Sequence, residues 1–274
     1  MATQTLPFRV VPPTSARRLL GSGHARFLIE RNARVYRAGW VVLLSGILEP
    51  LFYLLSVGVG VAQLVGDVEL PGGKVVSYTA FIAPAMLASS AMNGALYDAT
   101  FNVFFKLKYD KLYDSILSTP VTPVDIAAGE IGWALLRGGF YSGTFFVVML
   151  VMGLVSSWWA VLVLPAAILI GFAFAAIGMA CTTFMKSWQD FEYITLATLP
   201  MFLFSATFVP ADTYPDVVRW LLPLTPLYHG VELLRAFTLG DVTWLVLVDI
   251  AYLVALTAVF LVLADRRLAK LLLK

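Results

Sequence analysis

Ionisable side chains inside long apolar runs are the residues of this sequence best placed to do chemistry. Glu49, followed by Pro50, lies in the middle of one run, and Asp249 lies in the last run. A charge at the centre of a bilayer costs about 2.5–3.5 kcal/mol on insertion scales, so each carboxyl needs a partner or water. For Glu49, a hydrated path or subunit contact and a protonated structural carboxyl are equally open. Asp249 is expected to meet Arg235 or water, and the two carboxyls together would suit proton carriage.

Catalytic and metal-binding motifs are missing from the sequence. It has no G-x-x-x-x-G-K-[ST], H-E-x-x-H or G-x-S-x-G pattern and no paired His, Asp and Glu spacing for a metal. The two histidines, His24 and His229, offer little material for general-base chemistry. A single cysteine, Cys181, excludes a disulfide within the chain and a cysteine metal cluster. We therefore expect no catalytic residue, no metal and no cofactor in this chain, and no ATP hydrolysis by it through a P-loop.

The segment at residues 106–130 is charged and punctuated by proline, although it lies between apolar runs. At helical spacing its apolar side chains share one face, and charged side chains take the other. The apolar face consists of Tyr109, Leu112, Tyr113, Ile116 and Leu117, and the charged face of Lys106, Lys108, Asp110, Lys111 and Asp114. The pattern predicts a short amphipathic helix that stops before Pro120. A second helix then begins with Thr122 as N-cap, Pro123 at the first position and Asp125 at the third, and the whole suits a docking surface.

The composition places these residues in a membrane protein. Hydrophobic residues make up 60% of the 274 residues and charged residues only 13%, with a mean hydropathy of +0.85. A bilayer core about 30 Å thick needs roughly 20 apolar residues for each helix. Six stretches qualify, at residues 40–65, 75–97, 131–155, 158–185, 193–209 and 242–264, of which the fifth is short. The sequence therefore predicts an all-α integral membrane protein with six transmembrane helices.

The distribution of Lys and Arg predicts how these helices are oriented. All but three of the 19 such residues fall near the same ends of the six spans, and the exceptions are Lys74, Arg219 and Arg235. By the positive-inside rule, both termini and residues 106–130 are cytoplasmic. Residues 1–39 contain no apolar stretch, so we expect the first span to act as the insertion signal in place of a cleavable signal peptide.

The chain divides into a cytoplasmic N-terminal segment, a membrane domain and a cytoplasmic tail. These are residues 1–39, 40–264 and 265–274, and the membrane domain includes a cytoplasmic segment at 101–130 and an outer segment at 210–240. Aromatic residues interspersed with basic ones at residues 23–38 are typical of a helix lying along the headgroups. Prolines break the outer segment into two short amphipathic pieces, residues 215–222 and 226–239, which suit partial re-entry into the bilayer.

Further aromatic and charged side chains in the membrane domain have both a functional and a structural interpretation. Aromatic faces beside Glu49 could carry sugar rings or acyl chains along a conduit, although packing and lipid contact explain most such residues. The aromatic residues concerned are Phe52, Tyr53, Phe81, Phe202, Phe204 and Phe208. Asp98 and Arg137 lie near the cytoplasmic boundary, where we expect them to snorkel towards the headgroups. In the outer segment, His229, Glu232 and Arg235 would touch a departing substrate or pin a short helix.

Three stretches carry a family resemblance. They are EPLFYLLSVGVG at residues 49–60, LSTPVTPVDIAAGE at 117–130 and FLFSATFVPADTYPDVVRWLLPLTPLYHGVELLRA at 202–236. Together with the order of the predicted elements, they resemble a type-2 ABC exporter permease, in the branch of the nodulation lipo-oligosaccharide and daunorubicin-type exporters. The resemblance covers nearly the whole chain.

The resemblance implies an exporter that takes its energy from other chains. Two permease subunits, expected to be identical, would form the pore, and two separate ABC ATPase subunits would bind ATP and Mg in the cytoplasm. Residues 106–118 would be a coupling helix seated in the ATPase, and the interfacial helix with Arg31 and Arg34 would approach the same subunit. The outer re-entrant helices would form a gate with Trp220, Tyr228, His229, Glu232 and Arg235. An amphiphile such as a glycolipid, a polysaccharide-lipid or a hydrophobic drug would move outward across a bacterial-type cell membrane, and no nucleic-acid partner is implied.

An ion-coupled secondary transporter that uses Glu49 and Asp249 as proton carriers is the alternative. It predicts transport that follows pH, collapses with an uncoupler and needs no ATPase. A membrane-embedded lipid-modifying enzyme is disfavoured because the sequence has no polar catalytic cluster.

Overall fold

The computed structural model describes residues 23–38, 48, 51–70 and 73–272, and the fold over these ranges is almost entirely helical. In chain order the helices are α1 (Ala25–Ala38), α2 (Leu51–Val65), α3 (Tyr78–Lys108), α4 (Leu112–Leu117), α5 (Pro123–Val151), α6 (Trp158–Thr182), α7 (Phe191–Leu203), α8 (Asp216–Leu221), α9 (Pro226–Leu239) and α10 (Leu245–Leu272). Single 3₁₀ turns at Trp188–Asp190, Ala211–Thr213 and Leu222–Leu224 connect the later helices. The predicted all-α class is confirmed for this part of the chain.

Four of the helices are long and apolar enough to cross a membrane, namely α3, α5, α6 and α10. They match the second, third, fourth and sixth predicted spans, although α3 and α10 run further than the sequence indicated. The helix α3 continues to Lys108 through a π-helical turn at Asp98–Asn102, and α10 continues to Leu272. The structure therefore shows a multi-pass helical membrane domain.

The fifth predicted span is shorter in the structure, and the first lies only in part within the described residues. Only the second half of the first stretch is described as a continuous helix, and this helix, α2, is apolar and contains a π-helical segment at Leu54–Val61. The helix α7 has 13 residues, which at 1.5 Å per residue is about 20 Å and less than the thickness of a bilayer core. The count of six spans remains a prediction.

The two-helix prediction for residues 106–130 is right about the second helix and wrong about the first. Thr122 caps α5, Pro123 occupies the first position, and the Asp125 carboxylate accepts a 2.9 Å hydrogen bond from the Thr122 amide, which completes a capping box. The expected single amphipathic helix is instead broken, because Lys111 adopts a left-handed conformation with φ 48°. This break separates α3 from α4 and lets the two helices point in different directions.

A short β-hairpin replaces the loop that the sequence indicates before α3. Strand β1 (Asp67–Glu69) pairs with β2 (Val75–Ser77) in antiparallel register, so part of the expected loop is a strand. Ser77 ends the hairpin and caps α3, since its hydroxyl accepts a hydrogen bond from the Ala80 amide.

The core is built around α3, which is buried on most of its surface. Helices α5, α6 and α9 pack around it, and α10 lies on the far side of α6 and α9. Gly178 on α6 makes one close contact possible, because a Cβ at this position would lie 3.0 Å from the Leu96 carbonyl oxygen of α3. Gly129 on α5 does the same for α1, since a Cβ there would lie 2.7 Å from the Leu28 Cβ. Helix α1 is thus clamped to the start of α5.

The outer segment forms two helices, α8 and α9, as the prolines predict. The amide of Ser156 donates to the carbonyl of Thr238, and the hydroxyl of Tyr252 donates to the carbonyl of Leu224, so the segment is fixed to the α5–α6 turn and to α10. Re-entry of these helices into a bilayer remains a prediction.

Candidate functional site

The charged end of the helical domain holds a buried polar cluster, which we call the basal cluster and define as Asn32, Lys106, Tyr113 and Glu130. The Lys106 ammonium lies 2.6 Å from Glu130 Oε2 and donates to Asn32 Oδ1 at 3.2 Å. The Asn32 amide donates to the same Glu130 oxygen at 3.0 Å. The Glu130 side chain is only 3% exposed, so this ion pair is held inside the protein.

Tyr113 brings α4 into the basal cluster. Its ring is fully buried, and its hydroxyl has no hydrogen-bond partner within normal distance among the described residues. Burial, reinforced by the nearby Glu130 carboxylate, raises the pKa of Tyr113 well above its ordinary value. The Tyr113 phenol therefore stays neutral. The Glu130 Oε1 atom also has no hydrogen-bond partner among the described residues.

A second ion pair continues the polar contacts towards the middle of the domain. Arg137 Nη2 lies 2.9 Å from Asp98 Oδ1, and both side chains are almost completely buried. Asn102 donates to Asp98 and, at 2.9 Å, to the Tyr36 hydroxyl of α1. The Arg137 guanidinium also lies 5.0 Å above the ring of Tyr36. The expectation that Asp98 and Arg137 snorkel was wrong, because the π-helical turn of α3 directs Asp98 inward to pair with Arg137 on α5.

These contacts join four elements at one end of the molecule. Helices α1, α3 and α5 contribute the hydrogen-bonding and ion-paired side chains of the two groups, and α4 contributes the buried Tyr113 beside Glu130. A buried ion pair holds its partners in a fixed geometry, because separating the charges in a low-dielectric interior is costly. The arrangement has no nucleophile or general base in position, and what it can do is transmit a displacement of α4 or α1 to α3 and α5.

The predicted coupling residues divide into inward and outward groups. Tyr113 and Lys106 belong to the basal cluster, so they are committed to contacts within this chain. Tyr109 is 57% exposed and stacks on Phe105 at the end of α3. Leu112, Ile116 and Leu117 on α4 are each half-buried. Because α4 is separated from α3, the predicted five-residue stripe does not form a single exposed face.

The two arginines assigned to coupling lie on α1 in different surroundings. Arg31 donates to the side-chain oxygen of Asn32 at 3.2 Å, next to the basal cluster. Arg34 is exposed and makes only a loose 3.9 Å ion pair with Glu30 of the same helix. Arg34 is thus exposed on α1, and the outward surface at α4 carries Tyr109, Asp114 and Ser115.

The outer residues form a second polar group around His229. His229 Nδ1 lies 2.7 Å from Asp249 Oδ1, His229 Nε2 lies 2.8 Å from the Pro223 carbonyl, and the imidazole stacks on the Tyr252 ring. Both ring nitrogens face oxygen atoms, one on α10 and one before α9, so the imidazole is held in one orientation between these elements. The expected contact of Asp249 with Arg235 was wrong, since Asp249 faces the start of α9 and Arg235 lies almost two turns further along.

Arg235 is buried elsewhere, between α9, α3 and the loop after α7. Its guanidinium lies 2.5 Å from Glu232 Oε1, donates to the Ala206 carbonyl at 2.9 Å and covers the Phe81 ring at 4.0 Å. Of the other predicted gate residues, Tyr228 is half-buried, with its pKa raised to about 12 by burial, and Trp220 is 81% exposed. The contacts of His229, Glu232 and Arg235 match the structural interpretation, in which they pin a short helix.

Part of the predicted aromatic path is assembled in the structure. Tyr53 on α2 meets Phe202 on α7 edge-on at 6.4 Å, and Phe202 meets Phe208 at 5.2 Å. Phe52 is 60% exposed, and Phe204 packs near Tyr214. Phe81 lies instead in the core beneath Arg235, and Glu49 lies outside the described residues. The path, where described, is therefore a partly exposed aromatic patch between α2 and α7.

Sequence reasoning missed Asn32 and the role of Glu130. The two residues are 98 positions apart, and Glu130 is 24 positions from Lys106, so no local spacing connects them. The available signal was the helical register of α5, which places Glu130 seven residues before Arg137 on nearly the same face. That register indicates two inward charges on one helix and hence two partners to be found.

The comparisons with known proteins decide the family. A model of the ABC-2 type transporter family matches residues 24–239. The chain belongs to the ABC-2 type transporter family. Nodulation protein J from Rhizobium leguminosarum bv. trifolii is 34% identical over 206 residues, which is 74% of this chain and 76% of that protein. Nodulation protein J from bv. viciae of the same species is 31% identical over 207 residues, or 75% of this chain and 78% of that protein.

A more distant relative carries the name of a transport permease. Inner membrane transport permease YadH from Escherichia coli strain K12 is 25% identical over 205 residues, or 73% of this chain and 77% of that protein. With its apolar helices, this ABC-2 chain is a multi-pass membrane transport permease of the nodulation protein J branch. Its role is that of a membrane transport component.

Proposed function

We propose that this permease is the membrane subunit of an ATP-driven exporter that moves an amphiphilic substrate outward. The basal cluster is the observation that carries the proposal. It connects α4, in the region predicted to dock on the ATPase, through Tyr113, Lys106 and Glu130 to two of the long helices. A permease without its own ATPase motif needs such a connection, because force generated in another chain must reach the membrane helices.

The energy source in this proposal is a separate ABC ATPase, which binds ATP and Mg outside this chain. Two ATPase subunits and two identical permease subunits form the complex, and both permease termini face the cytoplasm. The match to the ABC-2 family supports a partner ATPase, and the distribution of Lys and Arg supports the orientation. ATP binding draws the ATPase subunits together, α4 moves with them, and the basal cluster passes the displacement to α3 and α5.

The substrate in this proposal is an amphiphile such as a glycolipid, a polysaccharide-lipid or a hydrophobic drug. The exposed aromatic patch between α2 and α7 supports this class, since Phe52 and the Tyr53–Phe202 pair offer flat faces to sugar rings and acyl chains.

Docking is tested by placing a bulky side chain on the outward face of α4. Ser115 is exposed and has no role in the basal cluster, so Ser115→Trp blocks the approach of a partner without disturbing the fold. We expect the ATPase to be lost when the tagged permease is purified gently from its source membrane, and ATP-dependent transport to fall to the background level. Ser156→Trp is the matched control, because Ser156 is also exposed but lies beyond the opposite end of α5.

Purification of the wild-type permease and treatment with an uncoupler separate this proposal from ion-coupled transport. If no ATPase accompanies the wild-type permease in repeated purifications, and transport collapses with an uncoupler, the ATP-driven proposal is wrong. If Ser156→Trp releases the ATPase and Ser115→Trp does not, the docking face is on the other side of the membrane.

A further inference from the structure

A cavity of about 710 Å³ lies between α6 and α7 and has no role in the coupling described above. Its walls come from α6 (Phe174, Ile177, Cys181) and α7 (Ile194, Ala197, Met201). Its size falls within the range of about 300–1,000 Å³ that is typical of sites for small molecules. The cavity lining on α7 includes one buried polar residue, Thr198. The Thr198 hydroxyl already donates a hydrogen bond to the Thr195 carbonyl. The interior is therefore suited to hydrocarbon.

Among the described residues that line the cavity, the charged ones lie together at one end. Lys186 and Asp190, in the turn between α6 and α7, lie at this end, and Pro226 at the start of α9 lies at the other. Asp190 Oδ2 accepts hydrogen bonds from the amides of Lys186 at 2.6 Å and Ser187 at 3.2 Å. These backbone hydrogen bonds lower the pKa of Asp190, so its carboxylate is ionised and committed to closing the turn.

Lys186 is the cation at this mouth that can accept a new partner. Its side chain is exposed, and its ammonium makes no ion pair with any residue in the described ranges, although the Asp190 carboxylate is near enough to interact with it over a longer distance. An anionic group placed here would pair with the ammonium while the chain behind it entered the apolar interior. A cation at the mouth and an apolar lining inside are the features of a binding site for an anionic amphiphile.

We propose that this cavity binds a single-chain anionic amphiphile, with its tail between α6 and α7 and its phosphate or carboxylate at Lys186. The inference concerns binding by this chain alone, so it holds or fails independently of ATPase docking and of the direction of transport. The wall formed by α7 is suited to admitting a chain, because this short helix has few contacts with the rest of the protein.

Cys181 provides a direct readout, because it is the only cysteine in the sequence and lines the cavity. The permease is reconstituted in phosphatidylcholine vesicles without the ATPase, and the rate of maleimide labelling of Cys181 is measured. Three probes separate tail from headgroup: lysophosphatidic acid, the monoacylglycerol with the same chain, and glycerol phosphate. We expect lysophosphatidic acid at ten times its dissociation constant to slow labelling about tenfold. The monoacylglycerol protects more weakly, and glycerol phosphate does not protect.

Two variants test the two ends of the site. Lys186→Gln weakens the binding of lysophosphatidic acid about two- to fivefold and leaves the monoacylglycerol unchanged. The control Lys108→Gln, at an exposed lysine that does not line the cavity, changes neither. Ala197→Phe fills the cavity and abolishes protection by both lipids. Val259→Phe is its control, because Val259 lies on α10, does not line the cavity and has 63% of its surface exposed.

Several results would overturn the proposal. Equal protection in Ala197→Phe and wild type would mean that the lipid acts outside the cavity, as a general effect on the vesicle. Protection by glycerol phosphate alone would mean that the mouth binds a free anion, and equal affinity for the two lipids would remove the assignment of the headgroup to Lys186. Rapid labelling that no lipid slows would mean that the cavity is unoccupied.

Discussion

At the scale of single residues, the charged groups of this permease form both buried and exposed ion pairs. The Lys106–Glu130 pair is 2.6 Å long with Glu130 almost fully buried, whereas the Arg34–Glu30 pair is 3.9 Å long and exposed. The cost of taking a charge out of water is recovered only while its partner is present. The two pairs therefore have very different consequences when one member is removed.

We expect Lys106→Met to destabilise the permease by about 3–5 kcal/mol, because it leaves the Glu130 carboxylate buried without its cation. The double variant Lys106→Met with Glu130→Leu should lose clearly less than the sum of the two single variants, since neither charge is then left alone. Unfolding in mixed micelles over a range of SDS concentrations measures all three. Glu30→Gln is the control on the exposed pair and should change stability by less than about 1 kcal/mol. Additive losses in the double variant would show that the two charges do not support each other.

Such long-range pairs mark the limit of what the sequence predicts. The capping box of Thr122 and Asp125 was predictable because its two partners are three residues apart and the motif is local. The Asp98–Arg137 pair was not, because it depends on how α3 and α5 are rotated against each other and on a π-helical turn that carries no sequence signal. The chemistry of each residue was clear from its type, but the partner was decided by helix packing.

At the scale of elements, periodicity identified the helices well and their breaks poorly. The prolines predicted both outer helices, yet the break between α3 and α4 occurs at Lys111, a residue with no turn preference, in a left-handed conformation. The gain from this break is the burial of Tyr113, which a continuous helix would direct elsewhere. Tertiary contacts thus overrode a helical pattern that was locally acceptable.

The attachment of α1 to α5 depends on Gly129, and this gives a prediction at the same scale. Gly129→Ala places a Cβ 2.7 Å from the Leu28 Cβ and 3.0 Å from the Ala25 carbonyl oxygen, so α1 must move away. We expect a loss of about 1–3 kcal/mol of stability and faster proteolysis within residues 23–38. Gly138→Ala is the matched control on the same helix, because nothing lies within 4 Å of its added Cβ, and it should be neutral or stabilise by about 1 kcal/mol. Equal effects of the two substitutions would show that α1 does not depend on this contact.

At the scale of the whole molecule, the surface of the chain is unevenly suited to lipid. Helix α10 is long enough to span a bilayer and exposes Leu247 and Val259, as a helix facing lipid does. Helix α7 exposes Tyr193, Leu196 and Leu199 but is only about 20 Å long. A helix that ends within the hydrocarbon leaves backbone N–H and C=O groups that lipid cannot hydrogen-bond, so protein must cover these groups. This physical difference favours α7, beside the aromatic patch, as the face that meets the second permease subunit of the proposed homodimer.

This assignment predicts which engineered cysteines will join two copies of the chain. In a Cys181→Ser background, Leu196→Cys on α7 should react with a short bismaleimide to give mostly covalent dimer, because its symmetry mate lies across the same interface. Val259→Cys on α10 is similarly exposed, at 63% compared with 71% for Leu196, and should remain monomeric because lipid surrounds it. Gel mobility after labelling in native membranes measures both, and dilution of the protein into excess lipid separates a stable dimer from random collision. A dimer that forms through Val259→Cys and not through Leu196→Cys would move the interface to α10, and the exposed face of α7 would then have to meet lipid.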